Sequence, residues 1–538
     1  MRMRRGLALT LAAVFAFATP AMAAPTWVPP IDSVGEGNVG VTIAEDTENQ
    51  GVSRRFVHIE TPNGPSEFIC ENGIADSGVC DPSNPNTNFD STVVLPYCFS
   101  AAQEDCVESL STGLATGDLT KAAFARSADG RTFPANTNQG GLPAGGTTSV
   151  FKTGTNPSPD GLQYAVQVIQ RNSYSLSSKA YVTGSIQASV FPILIKSMPG
   201  ATPAGITQGI RQDGTGFIGG SGNPSGCAFT EKDTCAEIQD FEQGQRFAIS
   251  IRVSKNVAGW FKGRIDNPDI QIESFSDSAN RITVAADPVS VPRLFVNVPE
   301  VSLSDTAKNM IKGSMQAGRV HSTHPDLQQS ISWIETFRDA AKDTAASVSS
   351  LWSFATLDSG SAASNSCLAD SSRVIGFVST NATTMSYGLP EFKDGMLTYS
   401  VAGLHYAPDK QTLNEGAYDL VLRSDVARCL YGFTKAPISA TVSVIDDNGN
   451  LKTAVTMVNE ANGWVKLSAH GFTFSSPKVR VKLTQAPEAT PTPSASPKPT
   501  SNPAPAAAKK VTISCVKGRL IKKVTAVSPK CPAGYKKK

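Results

Sequence analysis

Apolar residues occupy every second position of Phe247-Ala248-Ile249-Ser250-Ile251-Arg252-Val253, the alternation of a strand with one buried face. Residues 163–169, 181–191 and 281–286 follow the same rule. Between about residues 30 and 300 such runs are short and are interrupted by Gly, Pro, Asn and Asp. That predicts one large β-sandwich or two smaller ones over 24–300, a boundary between two falling in the Gly-rich stretch 200–226. The period changes at 304–355. There Leu327, Ile331, Ile334, Ala341, Ala345, Val348 and Trp352 recur at three, four and seven, the stripe of an amphipathic helix. Pro325 suits the first helical position, where its missing N–H costs nothing. The pattern predicts one long helix within 301–356, packed between two β domains or against one of them.

Alternation returns over 366–485. Residues 441–445 and 451–458 flank Asp447-Asn448-Gly449-Asn450, and Asn-Gly readily takes the positive φ angles of a tight hairpin. Lys478-Val479-Arg480-Val481-Lys482-Leu483 alternates basic and apolar side chains. Six or seven strands in this stretch predict an immunoglobulin-like sandwich, although Trp464 follows both Cys367 and Cys429 instead of lying between them.

Composition agrees with this picture. In 538 residues, 40% are hydrophobic and 17% charged, enough apolar material to offset ordering entropy, so a mostly disordered chain is excluded. The 44 Gly and 35 Pro favour turns and short strands. The N-terminus adds an address. Arg2, Arg4 and Arg5 precede an apolar run at 7–18, and Ala21-Met22-Ala23 sets small residues where a signal peptidase inspects them. Residues 1–23 therefore read as a secretory signal, shorter than a membrane span, and the mature chain is expected outside the cell or on its wall.

Export decides how the ten cysteines are read. They fall into neighbours: Cys70 and Cys80, Cys98 and Cys106, Cys227 and Cys235, Cys367 and Cys429, Cys515 and Cys531. In an oxidising compartment five local disulfides are expected, although spacing alone does not fix the connectivity. No pair has C-x-x-C spacing, which makes metal or redox roles the weaker reading.

The charge is divided unevenly. Residues 486–508 hold seven Pro among 23, an extended linker in the polyproline II style. Beyond it, residues 509–538 carry nine Lys, one Arg and no acid. Removing those ten charges and the three of residues 1–23 from the net +2 leaves 24–508 at −11. The cationic residues are Lys509, Lys510, Lys517, Arg519, Lys522, Lys523, Lys530, Lys536, Lys537 and Lys538. Val511, Ile513, Leu520, Ile521 and Val524 could build a two-stranded unit around Lys517-Gly518-Arg519, too small to fold without a Cys515–Cys531 staple. A spacer and a stapled basic module point to attachment to a polyanion, either anionic wall polymer or a membrane surface. With Tyr535 its one aromatic residue, the tail has no row of stacking platforms for nucleic acid.

The ending Ser514-Cys515-Val516-Lys517-Gly518 … Pro529-Lys530-Cys531-Pro532-Ala533-Gly534-Tyr535-Lys536-Lys537-Lys538 resembles a C-terminal module of secreted and cell-surface proteins of Gram-positive-type, actinobacterial bacteria. Arg428-Cys429-Leu430-Tyr431-Gly432-Phe433 and Gly471-Phe472-Thr473-Phe474-Ser475 resemble parts of the last β domain of that family. The resemblance covers about the final 180 residues. It implies an exported surface protein and carries no catalytic residue over.

Motifs for chemistry are few. His321, His324 and Asp326 lie within six positions, but Pro325 sets the histidines astride a helix start, and no H-E-x-x-H exists. The stretch 81–90, Asp-Pro-Ser-Asn-Pro-Asn-Thr-Asn-Phe-Asp, offers oxygen ligands for Ca²⁺ without the Gly and terminal Glu of an EF-hand; turn formation explains it as well. Gly214-Thr215-Gly216-Phe217-Ile218-Gly219 matches a dinucleotide-binding fingerprint by letter but lacks a preceding buried strand. Ser149-Val150-Phe151-Lys152 and Lys152-Thr153-Gly154 share a lysine that serine acyltransferases supply from separate elements. Trp260 and Trp464 could meet sugar rings, though core packing is the commoner role.

The sequence thus predicts a mainly β, multi-domain protein: sandwiches with one long helix between them and a small basic C-terminal module. The function expected is non-enzymatic attachment at the cell envelope, without catalytic residue, cofactor or specific nucleic acid, its glycan or protein partner undetermined. The alternative is a secreted carbohydrate-binding protein or glycoside hydrolase with a carboxylate pair in an aromatic cleft. An adhesin would instead expose a broad apolar patch.

Overall fold

The computed structural model describes residues 34–43, 51–72, 76–81, 87–135, 143–153, 161–175, 180–312, 315–317, 320–357, 365–370, 372–434, 438–445, 451–452, 455–474, 478–485 and 509–538. The alternating runs are strands. Phe247, Ile249, Ile251 and Val253 lie in the strand Gln245–Ser254, each fully buried.

The main sheet runs in the order Gly64–Ile69, Arg54–Thr61, Thr87–Val94, Gln163–Ser175, Ala180–Ser197, Ser353–Thr356, Gly259–Arg264, Val374–Thr380, Glu415–Arg423, Trp464–Thr473, Val455–Ala461. Along this path only Gly259–Arg264 and Val374–Thr380 are parallel neighbours. Strands from 24–300 and from 366–485 therefore share one sheet.

Because side chains alternate across a strand, the two faces of this sheet differ. One face sends Val168, Ile186, Phe261, Phe354 and Phe377 into a core completed by Phe247 and Ile282 of a second sheet, built from Asp266–Ser274, Ala279–Asp287, Gln245–Ser254, Cys106–Leu114 and Thr120–Lys121. On the opposite face, Val378, Leu420 and Leu467 pack with Tyr399, Val479 and Val481 of the strands Met396–Ala402 and Lys478–Gln485. Gly376 makes room there for Trp260: a Cβ on it would stand 2.3 Å from Trp260 Cζ3. A further sheet places Asn38–Ile43 between Val289–Pro299 and, in parallel, Val320–Thr323. The helices Asp305–Lys312 and Ser330–Phe337 add Ile311, Trp333 and Phe337 to its core.

The long helix expected within 301–356 is not formed. Among the described residues this stretch holds those two eight-residue helices and the strands Met315–Ala317, Val320–Thr323, Ser347–Leu351 and Ser353–Thr356. Lys342 and Asp343 adopt φ of 53° and 52°, left-handed values that end any continuing helix. Asp343 is held in that turn by the His405 N–H, 3.0 Å from Oδ1. Beyond it, Ser347–Leu351 pairs with Val289–Pro299 and Ser353–Thr356 with Ala180–Ser197, and inter-strand hydrogen bonds override the helical stripe. Leu327 and Val348, two residues of that stripe, are exposed. Pro325 precedes the Ser330–Phe337 helix, and its carbonyl accepts from Met385 N at 3.1 Å.

The strands Ile438–Ile445 and Leu451–Lys452 pair as a hairpin, Ile445 opposite Leu451. Its Asp447–Asn450 turn, like residues 1–23 and the linker 486–508, lies outside the described residues. All five expected disulfides are formed, with Cα–Cα distances from 5.1 to 5.9 Å, and no cysteine is free. Such bonds fit an oxidising, extracellular environment. Among the described residues no helix is long and apolar enough to cross a membrane. The described residues up to Gln485 form one compact unit and 509–538 belong to another.

Candidate functional site

The basic C-terminal unit is a three-stranded antiparallel sheet in the order Leu520–Ala526, Val511–Lys517, Lys536–Lys537. A two-residue loop joins the first two strands in sequence, and Gly518 opens it at φ 61°, a value that glycine adopts at no steric cost. Cys515 is the buried residue of this sheet, held by the disulfide to Cys531. Around that staple Lys509, Lys510, Lys517, Arg519, Lys522, Lys523, Lys530, Lys536, Lys537 and Lys538 are all exposed.

The register sets where these charges point. Lys522 and Lys537 stand opposite Cys515 on its two neighbouring strands, sharing its face, while Lys523 opposite Ser514 and Lys536 opposite Val516 take the other face. Both faces are cationic, and no acid within the unit offsets them. Leu520 and Ile521, at the hairpin tip, are 65% and 62% exposed. The unit can therefore hold a polyanion by diffuse attraction while presenting two aliphatic side chains.

The sequence motifs elsewhere part company. His321 is buried in the strand Val320–Thr323, its Nδ1 3.0 Å from the Ile311 carbonyl. His324 instead donates from Nδ1 to the Asp326 carboxylate, which also forms an ion pair with Lys262. Ser149 and Lys152 lie on one short strand, Ser149 fully buried and Lys152 exposed. The Gly214–Gly219 stretch is the turn and second strand of the hairpin Gly205–Ile210/Gly216–Ser221, with no helix after it. Of the 81–90 stretch, 82–86 lie outside the described residues, and Thr87 to Asp90 open the strand Thr87–Val94. Trp260, Trp333 and Trp352 are buried, and Trp464 is half-buried beneath the Arg423 guanidinium, 5.7 Å from its ring centroid.

Two arrangements escaped the sequence reading. The first is a cavity of about 620 Å³ on the face of the main sheet that also carries Trp260 and Val378, with Arg171, Gln187, Lys262, Arg264, His324 and Asp326 in its lining. Gln187 and Lys262 both stand opposite Ala355, and Arg264 stands opposite Ser353, so all five share one face. The residues between them, Ile186, Phe261 and Phe354, fill the apolar core behind. Arg264 donates from Nη1 to the carbonyls of Thr380 at 3.0 Å and Ala382 at 2.6 Å. Burial, and then the like charge of Arg54, hold the Arg171 guanidinium below its ordinary pKa. Polar alternation on these strands was the sequence signal, but it marks solvent and cavity equally.

The second is Asp266, Asp419 and His470, whose ligand atoms lie within 4.8 Å of one another. Burial, and then the Asp266 charge, push the Asp419 carboxyl up to about 8. Its oxygens accept from the Ser468 hydroxyl, from Asn267 N at 3.0 Å and from the Ser379 hydroxyl at 3.3 Å. Those three donors favour the charged form, but burial and the Asp266 charge outweigh them and favour a protonated Asp419, and the donors leave this buried carboxyl little room to take up a cation.

No protein-family model, curated protein or solved structure matches the chain.

Proposed function

We propose that this is an exported, non-enzymatic protein of the cell envelope. Its β-sandwiches, the last of them immunoglobulin-like, are displayed through the Pro-rich linker. The basic tail attaches to an anionic wall polymer or membrane surface. One observation carries the reading: ten cationic side chains, all exposed, surround a disulfide-closed sheet that contains no acid. Such a unit is too small to be built for its own core, whereas its field is strong and of one sign. The resemblance of the tail to a module of actinobacterial surface proteins supports the same placement.

The test is co-sedimentation of the mature full-length chain with purified cell walls and with vesicles of phosphatidylglycerol or phosphatidylcholine. It is compared with the K522Q/K523Q/K536Q/K537Q variant at low and high salt. Retention of the parent by walls or by anionic vesicles, lost in the variant and reversed at about 1 M salt where the Debye length is ~3 Å, is the expected result. Equal retention of both chains, insensitive to salt, refutes tail attachment. Walls and vesicles separate the two anionic sources.

A further inference from the structure

The far end of the basic hairpin is apolar as well as cationic. Its strands Val511–Lys517 and Leu520–Ala526 pair in seven rungs, from Val511 opposite Ala526 to Lys517 opposite Leu520. At the strand rise of ~3.3 Å per residue the ladder is about 20 Å long. The chain enters from the linker beside Val511, so Gly518-Arg519 is the tip remote from that entry.

Leu520 and Ile521 are exposed at this tip, and the half-buried Val516 stands opposite Ile521. Successive side chains of a strand alternate, so Leu520 shares the face of Cys515 and Ile521 takes the opposite one. A flat protein surface laid against the hairpin covers one of the two and leaves the other in water. An apolar phase entered end-on covers both.

Cations gather at the same end. Lys517 shares the first rung with Leu520, Arg519 lies in the loop and Lys522 in the third rung, while Lys536 and Lys537 flank Val516 and Cys515. All five are exposed, and residues 509–538 contain no acid. Long basic side chains lay their methylene stems along apolar matter and keep their charges in water, at the level of lipid phosphates. An anionic wall polymer answers the charges but gives Leu520 and Ile521 no place out of water. A bilayer with anionic headgroups answers both.

We propose, resting on the tail attachment inferred above, that this tip inserts into an anionic lipid bilayer. Leu520 and Ile521 enter the acyl boundary, and Lys517, Arg519, Lys522, Lys536 and Lys537 bind the surrounding phosphates. The two parts act together, because a pair of aliphatic side chains is a marginal anchor and charge alone is screened by salt.

The mature full-length chain, disulfides intact, is co-sedimented with phosphatidylglycerol vesicles and with purified cell walls, beside the variant L520S/I521S, which keeps every charge. The expected result is partition to the vesicles at least tenfold weaker in L520S/I521S, with retention on walls unaltered. Ile521→Trp supplies a second readout: its added emission should be quenched by phosphatidylglycerol carrying brominated acyl chains. Equal vesicle binding by parent and L520S/I521S, or unquenched emission from Ile521→Trp, overturns insertion and leaves electrostatic attachment standing. Retention of the parent on walls but not on vesicles does the same. Wall retention that falls together with vesicle binding in L520S/I521S overturns the assignment to lipid. Retention of the parent on neither surface overturns tail attachment itself, and the inserting tip with it.

Discussion

Removing the Cys367–Cys429 disulfide is the perturbation with the most readable consequence. The bond closes a sequence separation of 62 residues and encloses the strands Val374–Thr380, Met396–Ala402 and Glu415–Arg423. In the chain-entropy model a loop of that length restricts the unfolded state by about 4 kcal/mol, against about 2.5 kcal/mol for a separation of eight such as Cys227–Cys235. Packing interferes little with the comparison, because Cys367 is half-buried and Cys429 exposed. The paired exchange Cys367→Ala with Cys429→Ala thus removes a tether rather than core volume. Hydrogen exchange followed by mass spectrometry on peptides spanning 374–423 measures the local opening free energy. At about 1.4 kcal/mol per decade, protection there is expected to fall about a thousandfold. The same exchange at Cys227 and Cys235 is expected to cost less than a hundredfold. A loss below tenfold at 374–423, or equal losses for the two pairs, would refute the tether argument.

Two other predictions concern charge and packing. Burial pushes the Glu108 carboxyl up, but hydrogen bonds from Arg281 and Arg252 outweigh it and hold it at about 2. A depressed carboxyl stabilises the fold above its ordinary pKa of 4.5 and loses that contribution as pH falls through about 2. Glu108→Gln should therefore cost about 2 kcal/mol at pH 7 after screening, and urea midpoints of variant and parent should converge towards pH 2; a gap independent of pH would contradict this. Gly376→Ala drives a methyl group into the buried Trp260 ring and should destabilise by about 1–3 kcal/mol, with a shifted tryptophan emission, whereas an unchanged melting profile would show that the ring moves aside freely.

Much of the architecture was legible because it is written at short range. Alternation at 247–253 sets which side chains of that strand are buried whatever it pairs with, and the strands expected on either side of the Asn-Gly pair with each other, Ile445 opposite Leu451. Cysteines eight to sixteen residues apart find each other with little loop entropy, and the Cys367–Cys429 pair follows once the others are taken. The basic character of residues 509–538 is composition alone.

Tertiary pairing decided the rest. The stripe from Leu327 to Trp352 satisfies helical spacing, yet residues 347–356 gain more by pairing with Val289–Pro299 and Ala180–Ser197, partners more than fifty residues away. No local pattern reports such partners. Nor could spacing place Arg171, Lys262 and Asp326 around one space, since they come from three parts of the chain and meet only through strand order and register. The same holds for Asp419. Its isolated aspartate letter reads as surface, and only burial beside Asp266 changes its protonation. A sequence records what each residue does to its neighbours along the chain; cavities and buried charges depend on which distant strands lie side by side.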